Sequence, residues 1–334
     1  MYLVSLLHTR QDVWQGLGSF LPAVRDVSDG ERKIMETRSA FIAIVGRPNV
    51  GKSSLLNTLL GEKVAIVTNK PQTTRTRIMG VLTRGAVQLV FIDTPGLHRP
   101  RNKMGEFMVE QVGDSVADVD LAVLVTEPEG EIRNSERELI ETFQKMGLPA
   151  VLVINKIDTL DKKEKIIQRI GQFQELFPFE AYIPVSALTG DGREILLDKL
   201  EEFAEEAPHF FPDDTLTDQP ERVIAAEIIR EKLLLNLMEE IPHGTAVAIE
   251  SMKERTGRDG QLITDIAANI YCEKDSHKGM IIGKGGAMLK RIASAAREDL
   301  ESFLDTKVNL QCWVKVREDW RNKEKIMKSF GYES

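Results

Sequence analysis

Gly46-Arg47-Pro48-Asn49-Val50-Gly51-Lys52-Ser53 is framed by glycines and closed by a lysine and a serine. Glycine lets backbone N–H groups curl around a phosphate with no side chain in the way. Lys52 supplies a positive charge to β- and γ-phosphates, and the Ser53 hydroxyl suits Mg2+. Ser54 opens a segment with Leu55, Leu56, Leu59 and Leu60 at helical spacing. A helix N-terminus and its dipole would then face the same phosphates. The chemistry this spacing allows is the binding of a nucleoside triphosphate.

Three further clusters narrow that chemistry. Asp93-Thr94-Pro95-Gly96 follows the apolar run Val87–Ile92. A carboxylate there can hold Mg2+ through water, and the Gly96 N–H can meet a γ-phosphate. Asn155-Lys156-Ile157-Asp158 follows Ala150–Ile154. The Asp158 carboxylate can accept from guanine N1–H and the N2 amino group, donors that adenine lacks. Ser186-Ala187 follows Tyr182–Val185, and its backbone can face guanine O6.

The elements that must position these groups are short and apolar. Phe41–Val45, Val87–Ile92, Ala150–Ile154 and Tyr182–Val185 read as buried parallel strands, with Ala117–Val125 as a further one. Four of them end in a polar motif. That places the motifs on one edge of an open α/β sheet, where ligands bind.

GRPNVGKSSLL at 46–56, TNKPQTTR at 68–75 and DTPGL at 93–97 together resemble the bacterial Era family of GTPases, over residues 38–334. The resemblance implies an α/β P-loop GTPase domain with a C-terminal α+β KH (type II) domain. It implies hydrolysis of GTP to GDP and phosphate with Mg2+, binding of the 3′ end region of 16S ribosomal RNA, and help in assembling the small (30S) subunit. A cytoplasmic monomer with peripheral association with the inner membrane goes with it. Ser53, Thr74 and Asp93 would ligate Mg2+, with Thr73 the competitor of Thr74. Lys52, Thr74 and Gly96 would be catalytic, and Lys70–Arg77 would order on γ-phosphate binding.

One position departs from the commoner GTPase pattern. Leu97 stands where many GTPases keep a water-orienting glutamine. Leucine cannot hydrogen-bond, so another group places the water or turnover is slow. Relatives with an apolar residue here use K+, held by the asparagine that corresponds to Asn49. A loop-capping role for the Asn49 side chain is the alternative.

The C-terminal third carries a second motif. Arg222–Met238 has helical spacing, and Thr245–Glu250 and Leu262–Tyr271 alternate like strands. Ile281-Ile282-Gly283-Lys284-Gly285-Gly286 then opens a helix to about Leu304, followed by a strand at Val308–Val316 and a helix at Asp319–Phe330. The Gly283–Gly286 loop fits the G-x-x-G of a KH domain, whose glycines admit a nucleic-acid backbone. Lys278, Lys284, Lys290, Arg291 and Arg297 follow with no acid between them. Ile282, the four loop residues, Lys290 and Arg291 are the expected RNA contacts. Trp313 and Trp320 are expected to pack in the core or at an edge.

Composition fits this reading. The chain has 334 residues, 42% hydrophobic and 29% charged, which suits two globular domains. No apolar run approaches 18 residues, so no transmembrane helix is expected. The net charge of −8 lies wholly within residues 36–220, which excludes a uniformly basic coat. Cys272 and Cys312 are too few for a disulfide scaffold and are expected as buried thiols in a reducing cytosol. Lys162, Lys163, Lys165 and Arg169 are expected on a solvated helix face.

Residues 1–35 form an extension without a motif, either loose or a misassigned start before Met35. A G domain is expected over 36–210, an acidic, proline-containing linker over 211–220 and an RNA-binding domain over 221–334. There is no second G-x-x-x-x-G-K-S and no large N-terminal domain, which argues against tandem and tRNA-modifying GTPases. A nucleotide-gated RNA-binding adaptor with little hydrolysis is the rival.

Overall fold

The computed structural model describes residues 37–332 except 71–72, 97–101, 118 and 239–240. The expectations for residues 1–35 and for Leu97 lie outside that set. Two layered halves follow one another along the chain.

The first half is a sheet of order β2-β3-β1-β4-β5-β6. Its strands are β1 (Arg38–Gly46), β2 (Ile78–Arg84), β3 (Val87–Asp93), β4 (Leu121–Thr126), β5 (Ala150–Ile154) and β6 (Ala181–Pro184). β2 runs antiparallel to β3; the β1–β3, β1–β4, β4–β5 and β5–β6 pairs are parallel. Helices α1 (Lys52–Leu60), α2 (Lys103–Ala117), α3 (Asn134–Met146), α4 (Glu164–Gln174) and α5 (Arg193–Glu201) accompany it. Ala40, Ile42 and Ile44 of β1 pack with α1 and α5 on one face, while Ala43 and Val45 pack with α2, α3 and α4 on the other. Burial on both faces is why these strands are apolar without alternation.

The acidic stretch expected as a linker is tied to this sheet. Glu205–Glu206 form a short strand, β7, antiparallel to Ser39 and Arg38 of β1. The buried Gln88 amide accepts from Phe210 and Phe211 N–H and donates to Phe211 O. Val81 N–H donates to Leu216 O, and Thr217 Oγ1 donates to Met79 O. The chain therefore caps the free edge of β2 before it leaves.

The second half runs α6 (Glu221–Asn236), β8 (Ala246–Thr256), β9 (Leu262–Cys272), α7 (Asp275–Ile282), α8 (Ala287–Leu304) and β10 (Lys307–Val316). The αββααβ order is that of a type II KH domain. β9 is central, parallel to β10 and antiparallel to β8. Ile224 and Ile228 of α6, Ile281 of α7 and Ile292 and Leu300 of α8 form the core with Ile266 and Ile270 of β9. Helix α7 has no counterpart in the sequence reading; it is short, contains Gly279, and buries only Ile281 fully. The last segment is a 3-10 turn at Trp320–Asn322 and helix α9 (Glu324–Ser329), not one continuous helix. Trp320, Met327 and Tyr332 pack there with Met104, Phe107 and Met108 of α2.

Candidate functional site

β1 brings the chain to Gly46, and α1 leaves at Lys52, so the loop between them crosses the end of the sheet. Lys52 is buried and donates from Nζ to Gly46 O at 3.1 Å and Arg47 O at 3.0 Å. Burial holds its pKa down to about 8, with Asp93 pulling the other way. Asp93 ends β3, fully buried. Burial pushes its carboxyl up to about 6 against the pull of Lys52 and Ser53.

Ser53 Oγ donates to Asp93 Oδ2 at 2.7 Å and lies 2.8 Å from Thr74 Oγ1. Asp93 Oδ1 is buried and has no hydrogen-bond partner among the described residues. A lone buried carboxylate oxygen beside two hydroxyls is an oxygen-only set that fits a hard divalent cation such as Mg2+. Thr73, the competitor, is turned elsewhere: its hydroxyl donates to Lys70 O and meets Thr68 Oγ1, both at 2.7 Å.

Gly96 approaches the loop closely. A Cβ there would stand 2.7 Å from both Pro48 N and Pro48 Cα, so only glycine fits without displacing backbone. Thr94 and Pro95 are buried, and the Thr94 hydroxyl donates to Ile44 O at 3.0 Å. The Thr94 side chain thus ties this motif to β1. Val50 is buried and Ser54 half-buried. The Arg47 side chain faces Glu127 at 3.1 Å and Glu136 at 3.3 Å. That leaves the Arg47 backbone for a nucleotide.

The guanine side is held together by Asn155. Its Nδ2 donates to Val50 O at 2.9 Å, and its Oδ1 accepts from Ala187 N–H at 3.0 Å. One side chain therefore ties three motif loops together. Lys156 reaches Asn49 O and Glu127 Oε1, each at 2.6 Å. Asp158 is exposed, and its Oδ1 accepts from Ser186 Oγ at 2.6 Å, which orients the carboxylate. Asn49 adopts a left-handed φ of 65°, and its Nδ2 donates to Asn69 O at 2.9 Å. That bond uses the amide nitrogen, whereas a cation would take the oxygen.

One expectation needs correction. Arg169 is not on a solvated face: it is 2% exposed. Its guanidinium donates to Thr126 Oγ1, Glu127 O and Gly130 O, and stands 3.7 Å from Glu136. It anchors the loop whose Glu127 holds Arg47 and Lys156. Within Lys70–Arg77, Thr73 and Arg75 have partners in the C-terminal domain. Thr73 O accepts from Arg230, and Arg75 is buried against the C-terminal domain. Glu127, Glu136, Arg75 and Arg230 were not singled out from sequence because their partners are distant in the chain.

In the C-terminal domain, Gly283, Gly285 and Gly286 all have positive φ between α7 and α8. A Cβ on Gly283 would stand 2.7 Å from Met288 Cβ. Lys284, Gly285, Lys290 and Arg291 are exposed, while Ile282 is half-buried beside the fully buried Ile281. Arg297 is paired with Glu301 at 2.8 Å. Trp320 is wholly buried, but Trp313 is 44% exposed on β10. Cys272 is buried and Cys312 half-buried, both free, and burial raises both thiols.

Fold and site define a P-loop GTPase that carries a KH domain. A domain family described as a 50S ribosome-binding GTPase matches residues 41–156, and the KH domain family matches 240–321. GTPase Era of Ruminiclostridium cellulolyticum is 48% identical over 300 residues, covering 90% of this chain and 99% of the relative. GTPase Era of Clostridioides difficile is 48% identical over 295 residues, covering 88% and 98%. The chain belongs to the Era family of GTPases. Among solved structures, Era in complex with MgGDPNP and nucleotides 1506-1542 of 16S ribosomal RNA is 36% identical, with a TM-score of 0.84 over 89% of this chain and 100% of that one. A single-residue variant of Aquifex aeolicus Era bound to GDP.AlF4- is 35% identical, with the same TM-score and coverage.

Proposed function

We propose that this GTPase binds the 3′ region of 16S ribosomal RNA through the loop Gly283–Gly286 and assists assembly of the small ribosomal subunit. The observation that carries the reading is the joining, in one compact unit, of a triphosphate site at Ser53, Thr74 and Asp93 to an exposed G-x-x-G loop on an αββααβ domain. The solved relative holds MgGDPNP and an RNA of that region.

The reaction is in-line attack of water on the γ-phosphate of GTP. The loop Gly46–Ser53 wraps the phosphates, Lys52 offers its ammonium to the β- and γ-oxygens, and the Gly96 N–H meets the γ-phosphate. Asp158 selects guanine. Mg2+, held by Ser53, Thr74 and Asp93, supplies positive charge against the phosphate oxygens. Asn49 would hold K+ through its amide oxygen. A cytoplasmic location, a monomeric state and peripheral contact with the inner membrane belong to the same proposal and rest on family membership. Among the described residues no helix is long and apolar enough to cross a membrane.

The test is phosphate release from GTP, together with crosslinking of the full chain to 16S ribosomal RNA in each nucleotide state. Turnover with crosslinks at the 3′ region supports the reading. RNA binding without turnover would favour the nucleotide-gated adaptor, and crosslinks elsewhere would reject the 3′ assignment.

A further inference from the structure

Thr74 lies between two residues whose side-chain or carbonyl partners belong to the C-terminal domain. On one side, Thr73 O accepts from the fully buried Arg230 of α6, which is itself paired with Glu227. On the other, Arg75 is 2% exposed. Its Nη1 donates to Thr245 O at 2.8 Å and to the Tyr332 hydroxyl at 3.1 Å. Its Nη2 donates to His243 O at 2.9 Å.

Two rings complete the enclosure. The Arg75 guanidinium carbon stands 5.6 Å from the Trp320 ring centroid and 5.9 Å from that of Tyr332. Trp320 stacks on Tyr332 at 5.9 Å and donates its indole N–H to Gly244 O at 2.9 Å. The box is therefore made of the 243–245 turn, β8's entry and the last described segment of the chain. Among the described residues no carboxylate bonds Arg75 in it. The charge is met by carbonyl dipoles, a phenol and aromatic faces, with Glu227 attracting and Arg230 repelling it from further off, an environment that suits a planar, weakly hydrated cation.

We infer that Arg75 is a positioning residue for Thr74. Through this box the C-terminal domain fixes the backbone that presents the Thr74 hydroxyl to Ser53 and Asp93. The inference rests on Thr74 being an Mg2+ ligand in the triphosphate state. The Thr74 hydroxyl sits 2.8 Å from Ser53 Oγ while the residues before and after it are gripped from the other domain. A shift of that peptide would need both grips to release. Bound GDP has no γ-phosphate for this segment to close on. Arg75 should thus matter to GTP and not to GDP, although it touches neither.

The test uses the full chain with fluorescent GDP and a fluorescent non-hydrolysable GTP analogue, both with Mg2+. The variants are Arg75→Lys, Tyr332→Phe, Thr74→Ala and the Arg75/Thr74 double. Lysine keeps the charge but loses the fork and the stacking face. Arg75→Lys should weaken the GTP analogue about tenfold and leave GDP within about twofold, a coupling of ordinary size between two sites. In the Thr74→Ala background it should add nothing, since residues acting as a unit are not additive. Tyr332→Phe removes one hydroxyl and keeps the packing, so it carries the same comparison at smaller amplitude if Arg75→Lys does not fold. Equal loss of both nucleotides would assign Arg75 to the fold alone and overturn the inference, as would additive effects in the double variant. Should Thr74→Ala bind the GTP analogue like the parent, the reading of Thr74 fails and the inference with it.

Discussion

Ser53 and Asp93 share a 2.7 Å hydrogen bond that occupies one oxygen of the carboxylate and leaves the other buried with no partner among the described residues. The Asp93 charge is thus held in readiness at a cost to the fold. Its pKa is raised from 3.8 to about 6 by burial. A raised carboxyl means the native state keeps its proton to higher pH than the unfolded chain. Nucleotide-free protein should therefore lose stability as pH climbs from about 4 to about 6, and stay at that lower level above it. Asp93→Asn removes the buried charge. At pH 7 it should raise the melting temperature of the nucleotide-free protein by an amount corresponding to on the order of 1–2 kcal/mol, part of the gain being offset by the lost attraction to Lys52. Mg2+-dependent binding of a GTP analogue should fall by at least about a hundredfold, roughly 2.7 kcal/mol. Thermal melts with and without Mg2+ and the analogue measure both, and a lower melting temperature would contradict the account.

Asp158, oriented by Ser186 at 2.6 Å, should decide the base. Asp158→Asn exchanges one acceptor for a donor, which suits xanthine better than guanine. GTP affinity should drop at least about tenfold while XTP affinity rises. A variant that keeps parental GTP affinity would remove Asp158 from the base site.

Asn49 offers its amide nitrogen to Asn69 O, so its oxygen is the atom a monovalent cation would take. Phosphate release should be faster in K+ than in Na+ at equal ionic strength, and Asn49→Ala should erase the difference. Equal rates in the two salts for the parent would leave Asn49 as a loop bridge.

The exposed Lys284-Gly285 pair should hold RNA backbone. Replacing both with Asp puts two negative charges against phosphate and should weaken single-stranded 3′-terminal RNA by at least about tenfold, roughly 1.4 kcal/mol. Removing Lys290 and Arg291 instead should flatten the salt dependence, each lost phosphate contact lowering the slope by about 0.7. GTP affinity should survive both changes. Undiminished RNA binding by the Lys284/Gly285 variant would reject the loop as the site.

Arg169 and Glu136 are both buried, 3.7 Å apart beneath the Glu127 loop. Arg169→Ala leaves Glu136 with one cation fewer and strips four acceptors of their donor. Removing one partner of such a pair costs about 3 kcal/mol or more. Urea unfolding should show a midpoint well below the parent's. A surface-like change of a few tenths of a kcal/mol would return Arg169 to the solvated face.

The nucleotide motifs were legible because each is a contiguous string at a strand end, where the chain's own order does the positioning. The G-x-x-G loop was legible for the same reason. What escaped was pairing between distant residues. Nothing local marks Gln88 as the dock for Phe210 and Phe211, or Glu127 as the shared partner of Arg47 and Lys156. Helix α7 hid because a one-sided, two-turn helix with a glycine gives no periodicity to read. Arg169 misled for a simpler reason: among three nearby lysines, an arginine destined for burial looks the same as one destined for water.

Arg75 and Tyr332 lie 257 positions apart, and that separation has a consequence in time. A chain lengthened at roughly 5–20 residues per second takes about 10–50 s to travel from one to the other. The first sheet can close once Thr217 has edged β2, so the nucleotide cleft exists while its distant clasp is still unmade. During that interval the nascent protein would lack the roughly tenfold preference for GTP that the clasp is inferred to add. That increment would arrive only with Tyr332, so the full preference for the triphosphate would come late in synthesis.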